Sequence, residues 1–579
     1  MTDRAFTNQE LAELFQKIAD LLDIKGEIIY KTLAYRKASE GLAELDRDIY
    51  DVWREGKLGE VPGVGKAIAE KIDELLSTGK LGFLENLEQE VPPTLVDLLQ
   101  VPDVGPKKVA LFWTQAGITT LPELEAAAQQ GRLRNLPGMG EKSEAKILTG
   151  IEALKRRVGR ASLAKAWPFS QSLLVYLRNV PGVQRAEAAG SLRRMRPTVG
   201  DLDLVVAAAD SSIVMKAFTT HPDIFEVLAK GETKASVEFR NNLRAQLWVF
   251  TPERFGTGWS YATGSKDHNV RLRELALKRS LSLSDAAFLK EDGGEILCAT
   301  EEEVYANLGF PWIPPELRED RGEIEAALAG KLPHLISLEE VRSDLHSHTL
   351  WSDGKLSVRD MAEAAIQRGH KILAITDHSA SLGVAGGLSI ERMEKLRDEI
   401  RSVQAELGET IHLLWGTESE IRVDGSLDYP DEFLAQMDIV IASLHISLRQ
   451  PREQITARLL KAINNPHVDM IGHPTGRLLP DRDGADLDME AVLKAAAENQ
   501  VAVEINANPT RLDLDAVYVR RAVDLGVLLS INTDAHSAND LDLMHFGVAT
   551  ARRGWAEAHH VINTWDTLSL FNWLRYRRI

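Results

Sequence analysis

Near the start of the chain, Leu11, Leu14, Phe15, Ile18, Leu21 and Leu22 recur at helical spacing, so residues 8–55 read as helices. Three later blocks interrupt the helical pattern in the same way. They are Val61-Pro62-Gly63-Val64-Gly65-Lys66, Val101-Pro102-Asp103-Val104-Gly105-Pro106-Lys107-Lys108 and Leu136-Pro137-Gly138-Met139-Gly140-Glu141-Lys142. The blocks stand 40 and 35 residues apart, and each leads into an amphipathic helix, as in Ala67 to Leu76. Pro311, Pro314, Pro315 and Pro333 surround an acidic helical stretch and mark a linker. From residue 341 short apolar runs alternate with helices: Ile372 to Thr376, Ile439 to Ala442, Met470 to Gly472, Val501 to Ile505 and Val527 to Ile531. Strand then helix, repeated, predicts a parallel sheet closed as a barrel.

Polar residues fall at the ends of these runs, where barrels of this class carry their active groups. Asp344-Leu345-His346-Ser347-His348 places two histidines at i, i+2, on one face of an extended segment. Asp353 follows on a turn, Asp377-His378 closes one run, and Glu418, His445, His473, Asp534 and His536 close others. Packing has no use for so many converging imidazoles and carboxylates, whereas a metal cluster does.

The glycine blocks suit a different task. Glycine permits a tight turn, and the turn leaves backbone N–H groups free at the start of the next helix, where a phosphate can sit. Gly63, Gly65, Gly105, Gly138 and Gly140 are the candidates, with Asp103 standing where the other blocks have glycine. A purely structural helix–turn–helix is the alternative for any one block; three in register resemble helix-hairpin-helix motifs that grip the DNA backbone. Lys155, Arg156, Arg157 and Arg160 could track the same backbone or form a solvated face. In the middle of the chain, Asp201 and Asp203 stand at i, i+2 and can bridge two Mg²⁺ ions, and Gly190-Ser191 with Arg194 suit a triphosphate.

Composition narrows this picture. The chain has 579 residues, 44% hydrophobic and 27% charged, as in a globular protein of several domains. Its single cysteine, Cys298, excludes an intrachain disulfide and fits a reducing, cytoplasmic compartment. No signal-peptide pattern or membrane-length apolar run is present. The formal net charge of −18 argues against nucleic acid unless carboxylates are gathered around metals, so its distribution matters more than its total.

The motifs together resemble bacterial family X DNA polymerases carrying a C-terminal PHP (polymerase and histidinol phosphatase) domain. The resemblance implies a multidomain fold: α-helical helix-hairpin-helix domains, an α+β nucleotidyltransferase palm and thumb, and an α/β PHP domain built as a distorted β/α barrel. The implied boundaries are 1–85 for a lyase-like domain, 86–160 for a DNA-binding fingers-like domain, 161–255 for the palm, 256–320 for the thumb, 321–340 for the linker and 341–579 for PHP. Tyr30 to Ala38 is similar to the family's lyase segment; Lys71 matches its Schiff-base nucleophile and Lys31 and Tyr35 its phosphate side, while Ala67 replaces a second lysine. Tyr261-Ala262-Thr263-Gly264-Ser265 resembles the nucleotide-selecting segment, which implies that Gly264, Ser265, Asn269 and Arg271 face the nucleotide. The third catalytic aspartate of the palm is replaced by Gln246, with Glu238 off the site.

In the PHP domain the resemblance implies nine ligands, His346, His348, Asp353, His378, Glu418, His445, His473, Asp534 and His536, for up to three ions of Mn²⁺, Zn²⁺ or Fe²⁺. Asp377, Glu504 and Asn506 would orient them. The palm would take Mg²⁺ or Mn²⁺ on Asp201 and Asp203. The implied activities are metal-assisted 3′-5′ exonuclease hydrolysis of DNA and gap-filling synthesis from deoxynucleoside triphosphates in DNA repair, by a monomer with no membrane partner. Without the third aspartate, synthesis is expected to be weak or Mn²⁺-dependent. Two alternatives remain: a PHP nuclease whose other half only holds DNA, and a small-molecule phosphatase.

Overall fold

The computed structural model describes residues 6, 8–43, 45, 49–101, 104–157 and 160–576. Pro102 and Asp103 of the second hairpin, and the side chains of Lys155, Arg156 and Arg157, lie outside them. The chain divides into two compact units, Met1–Gly159 and Arg160–Ile579.

The first unit is helical among its described residues. Helix Asn8–Lys25 buries Leu11, Phe15, Ile18, Leu21 and Leu22 along one stripe, as the apolar spacing requires. Each glycine block ends in a helix: Lys66–Thr78, Pro106–Ala116 and Glu141–Arg157. Gly63 has a φ of +77°, and a Cβ there would lie 2.2 Å from the Lys37 carbonyl oxygen. No other residue fits that turn against helix Ile29–Ala43.

The second unit begins with a five-stranded sheet. Its strands are β1 (Val183–Ala188), β2 (Leu202–Ala208), β3 (Ile224–Lys230), β4 (Lys234–Phe239) and β5 (Arg244–Phe250), in the order β1-β2-β5-β4-β3. The β2–β5 pair is parallel and sets Asp203 opposite Gln246. Helices Phe255–Thr263, Lys266–Leu277 and Glu301–Leu308 follow, with a small three-stranded sheet. Here Glu301 is buried between two guanidinium groups. Arg318 donates to its oxygens at 2.7 and 2.9 Å, and Arg193 donates to both at 2.7 Å. Such a buried pair fixes geometry, since losing either partner strands a charge.

The expected linker is part of this packing rather than a free connector. Ile324 and Ala327, on helix Glu323–Leu328, and Leu335 are buried in the same apolar cluster as Leu272, Phe288 and Tyr305. Glu323 is itself buried, 2.7 Å from His268 Nδ1. The prolines mark turns within a core, not an extended spacer.

The seven strands of the C-terminal sheet are β6 (Ser343–Asp344), β7 (Ile372–Ile375), β8 (His412–Glu420), β9 (Ile439–Ser443), β10 (Met470–Gly472), β11 (Ala502–Asn506) and β12 (Leu529–Asn532). They pair in sequence order, all parallel, as the alternating pattern predicts. A parallel bridge from Ser347 to Ala535 joins the first strand to the last, and the His348 N–H donates to the Ala535 carbonyl at 2.8 Å. This nearly closes a barrel. Both faces of each strand are buried, so the strands read as continuous apolar runs.

Candidate metal centre and nucleotide cavity

The C-terminal ends of β6 to β12 bring all nine expected ligand residues together. Three groups of donor atoms lie within 4.8 Å of one another: His348, Asp353, His378 and His536; His346, His348 and Asp534; and His378, Glu418 and His445. His473 Nε2 joins the last group, 2.9 Å from Glu418 Oε1.

Polar atoms in this cluster are buried without hydrogen bonds. They include His346 Nε2, His348 Nε2, His473 Nε2 and both Glu418 oxygens. His346 Nε2 is 3.5 Å from Glu418, and His348 Nε2 is 3.0 Å from Asp534, yet these atoms converge on shared space rather than on each other. Leaving so many buried donors and acceptors unpaired is costly, and divalent cations are what this donor set fits.

Electrostatics agree. Burial disfavours charge on His346, but Glu504, Asp534 and Glu418 still hold it well above the usual histidine range. Burial, with His378 and His536 alongside, pushes His348 down to about 3. Against burial, Glu418 and Asp353 raise His378 to about 9, and Glu418 and Glu420 do the same for His445. Carboxylates that draw protons this strongly also draw divalent cations, which compete with those protons.

Neighbouring groups fix the rings. Glu504 accepts from His346 Nδ1 at 2.8 Å and from the His473 backbone N–H at 2.7 Å, and Asn506 donates to Asp534 at 3.1 Å. Asp377, expected to orient a ligand histidine, instead accepts from Thr349 and Ser352, at 2.6–3.1 Å. It thereby pins the loop between His348 and Asp353. Glu420 was not anticipated. It sits 2.7 Å from His445 Nδ1 and is held by Arg458 at 3.1 Å. The pattern carried a signal for it, because Glu420 stands two residues after Glu418 on the same strand. Arg511, 3.8 Å from Asp534, and Asp513, which accepts from Thr475 and Gly476, come from a loop with no motif.

The second site is a cavity of about 480 Å³ lined by Gly190, Ser191, Arg194, Asp201, Asp203 and Gln246, among others. Gly190 is required there, since a Cβ would fall 1.8 Å from Asp203 Oδ2. Burial, and then the adjacent Asp201, pushes Asp203 up to about 7. Gln246 Nε2 donates to Asp201 Oδ2 at 2.9 Å, so the amide occupies the third position of the carboxylate group. Glu238 pairs with Arg244, away from the cavity. Asp201 and Asp203 fit a divalent cation, as two close carboxylates of which one is costly to ionise.

Gly264 and Asn269 also line the cavity. The Ser265 hydroxyl accepts from the His268 N–H and caps helix Lys266–Leu277 instead of facing the cavity. Arg271 turns away and pairs with Glu325 at 2.6 Å; Arg273, two residues on, lines the cavity, as do Arg160 and Lys266. Arg194 is already engaged. It donates to Glu319 at 3.1 Å and to the Thr263 carbonyl, and Arg553 also reaches Glu319, at 3.2 Å.

In the first unit, Lys71 and Lys31 approach the Phe83 ring, at 5.1 and 5.6 Å from its centroid. Tyr35, expected on the phosphate side, is buried instead. Its ring stacks on Phe15 and Phe83, and burial pushes its hydroxyl up to about 12. Among the described residues no side chain caps helices Lys66–Thr78 and Pro106–Ala116 at Gly65 and Gly105, and an uncapped helix N-terminus is where an anion can bind. Gly138 takes a φ of +72° in the third hairpin, beside Gly140.

Comparison with known proteins places these sites in context. Residues 6–81 match a helix-hairpin-helix domain family and 95–153 a SAM-like helix-hairpin-helix tandem. Residues 258–319 match the DNA polymerase beta thumb family, and 344–508 the PHP domain family. The chain is 39% identical over 558 residues to the DNA polymerase/3'-5' exonuclease PolX of Bacillus subtilis (strain 168), covering 96% of this chain and 97% of that protein. A probable phosphatase of Caldanaerobacter subterraneus is 32% identical over 209 residues, 34% of this chain and 77% of its own length. A probable phosphatase of Shewanella halifaxensis is 33% identical over 208 residues, with 34% and 78% covered.

Proposed function

The chain belongs to the bacterial family X DNA polymerase/3'-5' exonucleases with a C-terminal PHP domain, and from that premise we propose how its two centres divide the work. The PHP cluster hydrolyses phosphodiesters at DNA 3′ ends, and the palm cavity extends primers in gaps, slowly with Mg²⁺ because Gln246 stands in the third carboxylate position. The observation that carries the first half is the set of buried, unpartnered donor atoms converging at the barrel mouth.

His346, His348, Asp353, His378, Glu418, His445, His473, Asp534 and His536 would hold up to three ions of Mn²⁺, Zn²⁺ or Fe²⁺. When bound, the ions supply Lewis-acid stabilisation of the charge that develops on the phosphate and lower the pKa of water. The chain's own groups do the positioning. Glu504 fixes the His346 ring, Glu420 fixes His445, and Asp377 holds the loop that carries Asp353. Hydrolysis joins the oxygen of one water to phosphorus, breaks the P–O3′ bond and leaves a proton on the new 3′ hydroxyl.

In the palm, Asp201 and Asp203 would take Mg²⁺ or Mn²⁺. Gly190, Ser191, Arg194, Gly264 and Asn269 would receive the deoxynucleoside triphosphate, Arg194 exchanging Glu319 for phosphate. Ser265 supports this site as a helix cap. Gly63, Gly65, Gly105, Gly138 and Gly140 would present backbone N–H groups to DNA phosphates. Lys71 is the candidate Schiff-base nucleophile toward a 5′-deoxyribose phosphate, and borohydride trapping in wild type but not in Lys71→Ala tests it. A monomer in the cytoplasm fits the single buried Cys298. Among the described residues no helix is long and apolar enough to cross a membrane.

The test uses a gapped duplex labelled at either end, with Mn²⁺ or Mg²⁺. Wild type should degrade from the 3′ end, His346→Ala should not, and Asp201→Ala should lose synthesis alone. Intact degradation by His346→Ala would refute the nuclease assignment. A phosphatase acting on small monoesters would give release of phosphate from them without binding to gapped DNA at modest salt.

A further inference from the structure

Glu319 joins the nucleotide cavity to the barrel that carries the metal centre. Three guanidinium groups share its carboxylate. Arg194, which lines the cavity, donates through Nε at 3.1 Å, Arg553 donates at 3.2 Å, and Arg196 Nη1 lies 3.5 Å away. Arg553 ends helix Met544–Arg553, which comes after β12 and the ligand residues Asp534 and His536. Its Nη1 also donates to the Arg194 backbone carbonyl, at 2.6 Å. Its Nε is buried with no hydrogen bond. Burial pushes the Arg553 guanidinium down to about 10, and Glu319 opposes that shift.

Packing fixes this helix against the palm. Phe546 is buried in the palm's own core with Leu163, Leu204 and Val237, and its ring meets Trp167 with centroids 5.7 Å apart. Arg552 donates to Glu316 at 2.7 Å. The barrel thus supplies a fixed cation to a carboxylate beside the cavity. The local balance is positive, because one carboxylate meets three guanidinium groups. When a triphosphate takes Arg194, Glu319 is not stranded, since Arg553 and Arg196 remain. A buried carboxylate with no other partner would resist that exchange.

We propose that Glu319 is a positioning residue that competes with the incoming triphosphate for Arg194, and that Arg553 of the barrel sets the strength of that competition. Nucleotide affinity in the palm then depends on the barrel. By reciprocity, a bound triphosphate strengthens the Glu319–Arg553 pair. This rests on the reading of the palm cavity as a triphosphate site and adds what governs its affinity.

The test measures the Kd of the complementary deoxynucleoside triphosphate by calorimetry, on the full chain with Mg²⁺. The DNA is a single-nucleotide gapped duplex whose primer ends in a dideoxynucleotide joined by a phosphorothioate, so that binding occurs without reaction. Glu319→Gln should tighten binding by about tenfold, because no ion pair then holds Arg194 back. Arg553→Gln should weaken it by about threefold, because Glu319 then leans on Arg194. In Glu319→Gln/Arg553→Gln the second substitution should add less than about twofold, since it acts through Glu319. Glu325→Gln removes the same charge from a residue paired with Arg271, away from the cavity, and should leave Kd within about twofold. Melting curves report that each variant is folded, and either single variant decides if the other does not fold. Equal tightening by Glu325→Gln, or an Arg553 effect that persists without Glu319, would reveal a general field and overturn the proposal. Unchanged or weaker binding by folded Glu319→Gln, or unchanged or tighter binding by folded Arg553→Gln, would overturn it as well. If wild type bound no triphosphate, the reading beneath the proposal would fall instead.

Discussion

Replacing Gln246 by aspartate restores a carboxylate to the palm and tests what the amide does. Gln246 now donates to Asp201 at 2.9 Å, and its strand sets it opposite Asp203, which burial and Asp201 already hold near pH 7. A third carboxylate about 4 Å from another repels it by about 4 kcal/mol at an effective dielectric near 20. The Gln246→Asp protein without divalent ions should therefore unfold at lower temperature than wild type, and Mg²⁺ should recover the loss. In the transition state the same charge works in the opposite direction, because it faces cations. About 4 kcal/mol corresponds to roughly 10³ in rate. Single-nucleotide gap filling with a labelled primer should thus rise by about 10³ in Mg²⁺, and the advantage of Mn²⁺ should shrink. Gln246→Ala, which removes the amide without adding charge, should gain no rate. Ordinary Mg²⁺ turnover by wild type, or a Gln246→Asp protein that binds Mg²⁺ yet is no faster, would refute the reasoning.

Other perturbations read different parts of the molecule. His346→Ala should lower exonuclease kcat by more than about 10² while leaving gap filling within about twofold, measured on the same labelled duplex. A chelator should lower the melting temperature by several degrees, since it leaves His346, His348 and Glu418 buried without partners; calorimetry with and without added Mn²⁺ checks this. His370 is pulled down to about 4 by burial and by Arg368, so the native state binds fewer protons than the unfolded chain between about pH 6.5 and 4. Stability should fall by about 2 kcal/mol for this group alone between pH 7 and 5, and denaturant curves of His370→Gln should show that much less loss. Glu319→Ala should destabilise the fold by about 3 kcal/mol, because Arg553 stays buried without its carboxylate; an unfolding free energy from urea curves lowered by less than about 0.3 kcal/mol would contradict it.

Legibility in the sequence followed the locality of each signal. Eight of the nine cluster residues stand at or just beyond the C-terminal ends of short apolar strands, where period and position pointed to them; Asp353 lies on the loop after His348, and the full ligand set came from the resemblance, while the closed parallel sheet followed from the alternation. Glu420 had an i, i+2 relation to Glu418 and could have been found. Arg458 could not, because it comes from helix Arg452–Ile463 and reaches Glu420 only through tertiary packing. Asp377 was placed at the right strand end but given another partner, because strand position does not say which way a carboxylate turns once Thr349 and Ser352 offer four donors. Tyr35 and Arg271 failed for a related reason. A motif fixes where a residue sits on its helix, while burial against Phe83, or a nearby Glu325, decides where the side chain goes. The prolines before residue 340 looked like a spacer because composition cannot show that Ile324 and Leu335 close a core.

The net charge of −18 was the strongest sequence argument against a DNA partner, and the structure shows where part of it goes. Glu301 and Glu323 are buried against Arg318, Arg193 and His268. Asp344, Asp377, Glu420, Glu504 and Asp513 are buried under hydrogen bonds from the barrel mouth. Glu418 and Asp534 lie inside the cluster, where cations would cancel them. These carboxylates contribute to the formal total but present no field to an approaching phosphate backbone, because their charge is met within a few ångströms by a guanidinium, an imidazole or an oriented N–H. Removing these nine carboxylates together with Arg193, Arg318 and Arg458, the guanidinium groups that meet them, takes the formal total from −18 only to −12, so the rest of the surface stays acidic and a phosphate backbone needs local contacts. The uncapped N-termini of helices Lys66–Thr78 and Pro106–Ala116 in the first unit are the places proposed for such contacts. Local contacts of that kind make binding steeply dependent on salt, and the slope of that dependence, rather than the isoelectric point, is the quantity that counts them.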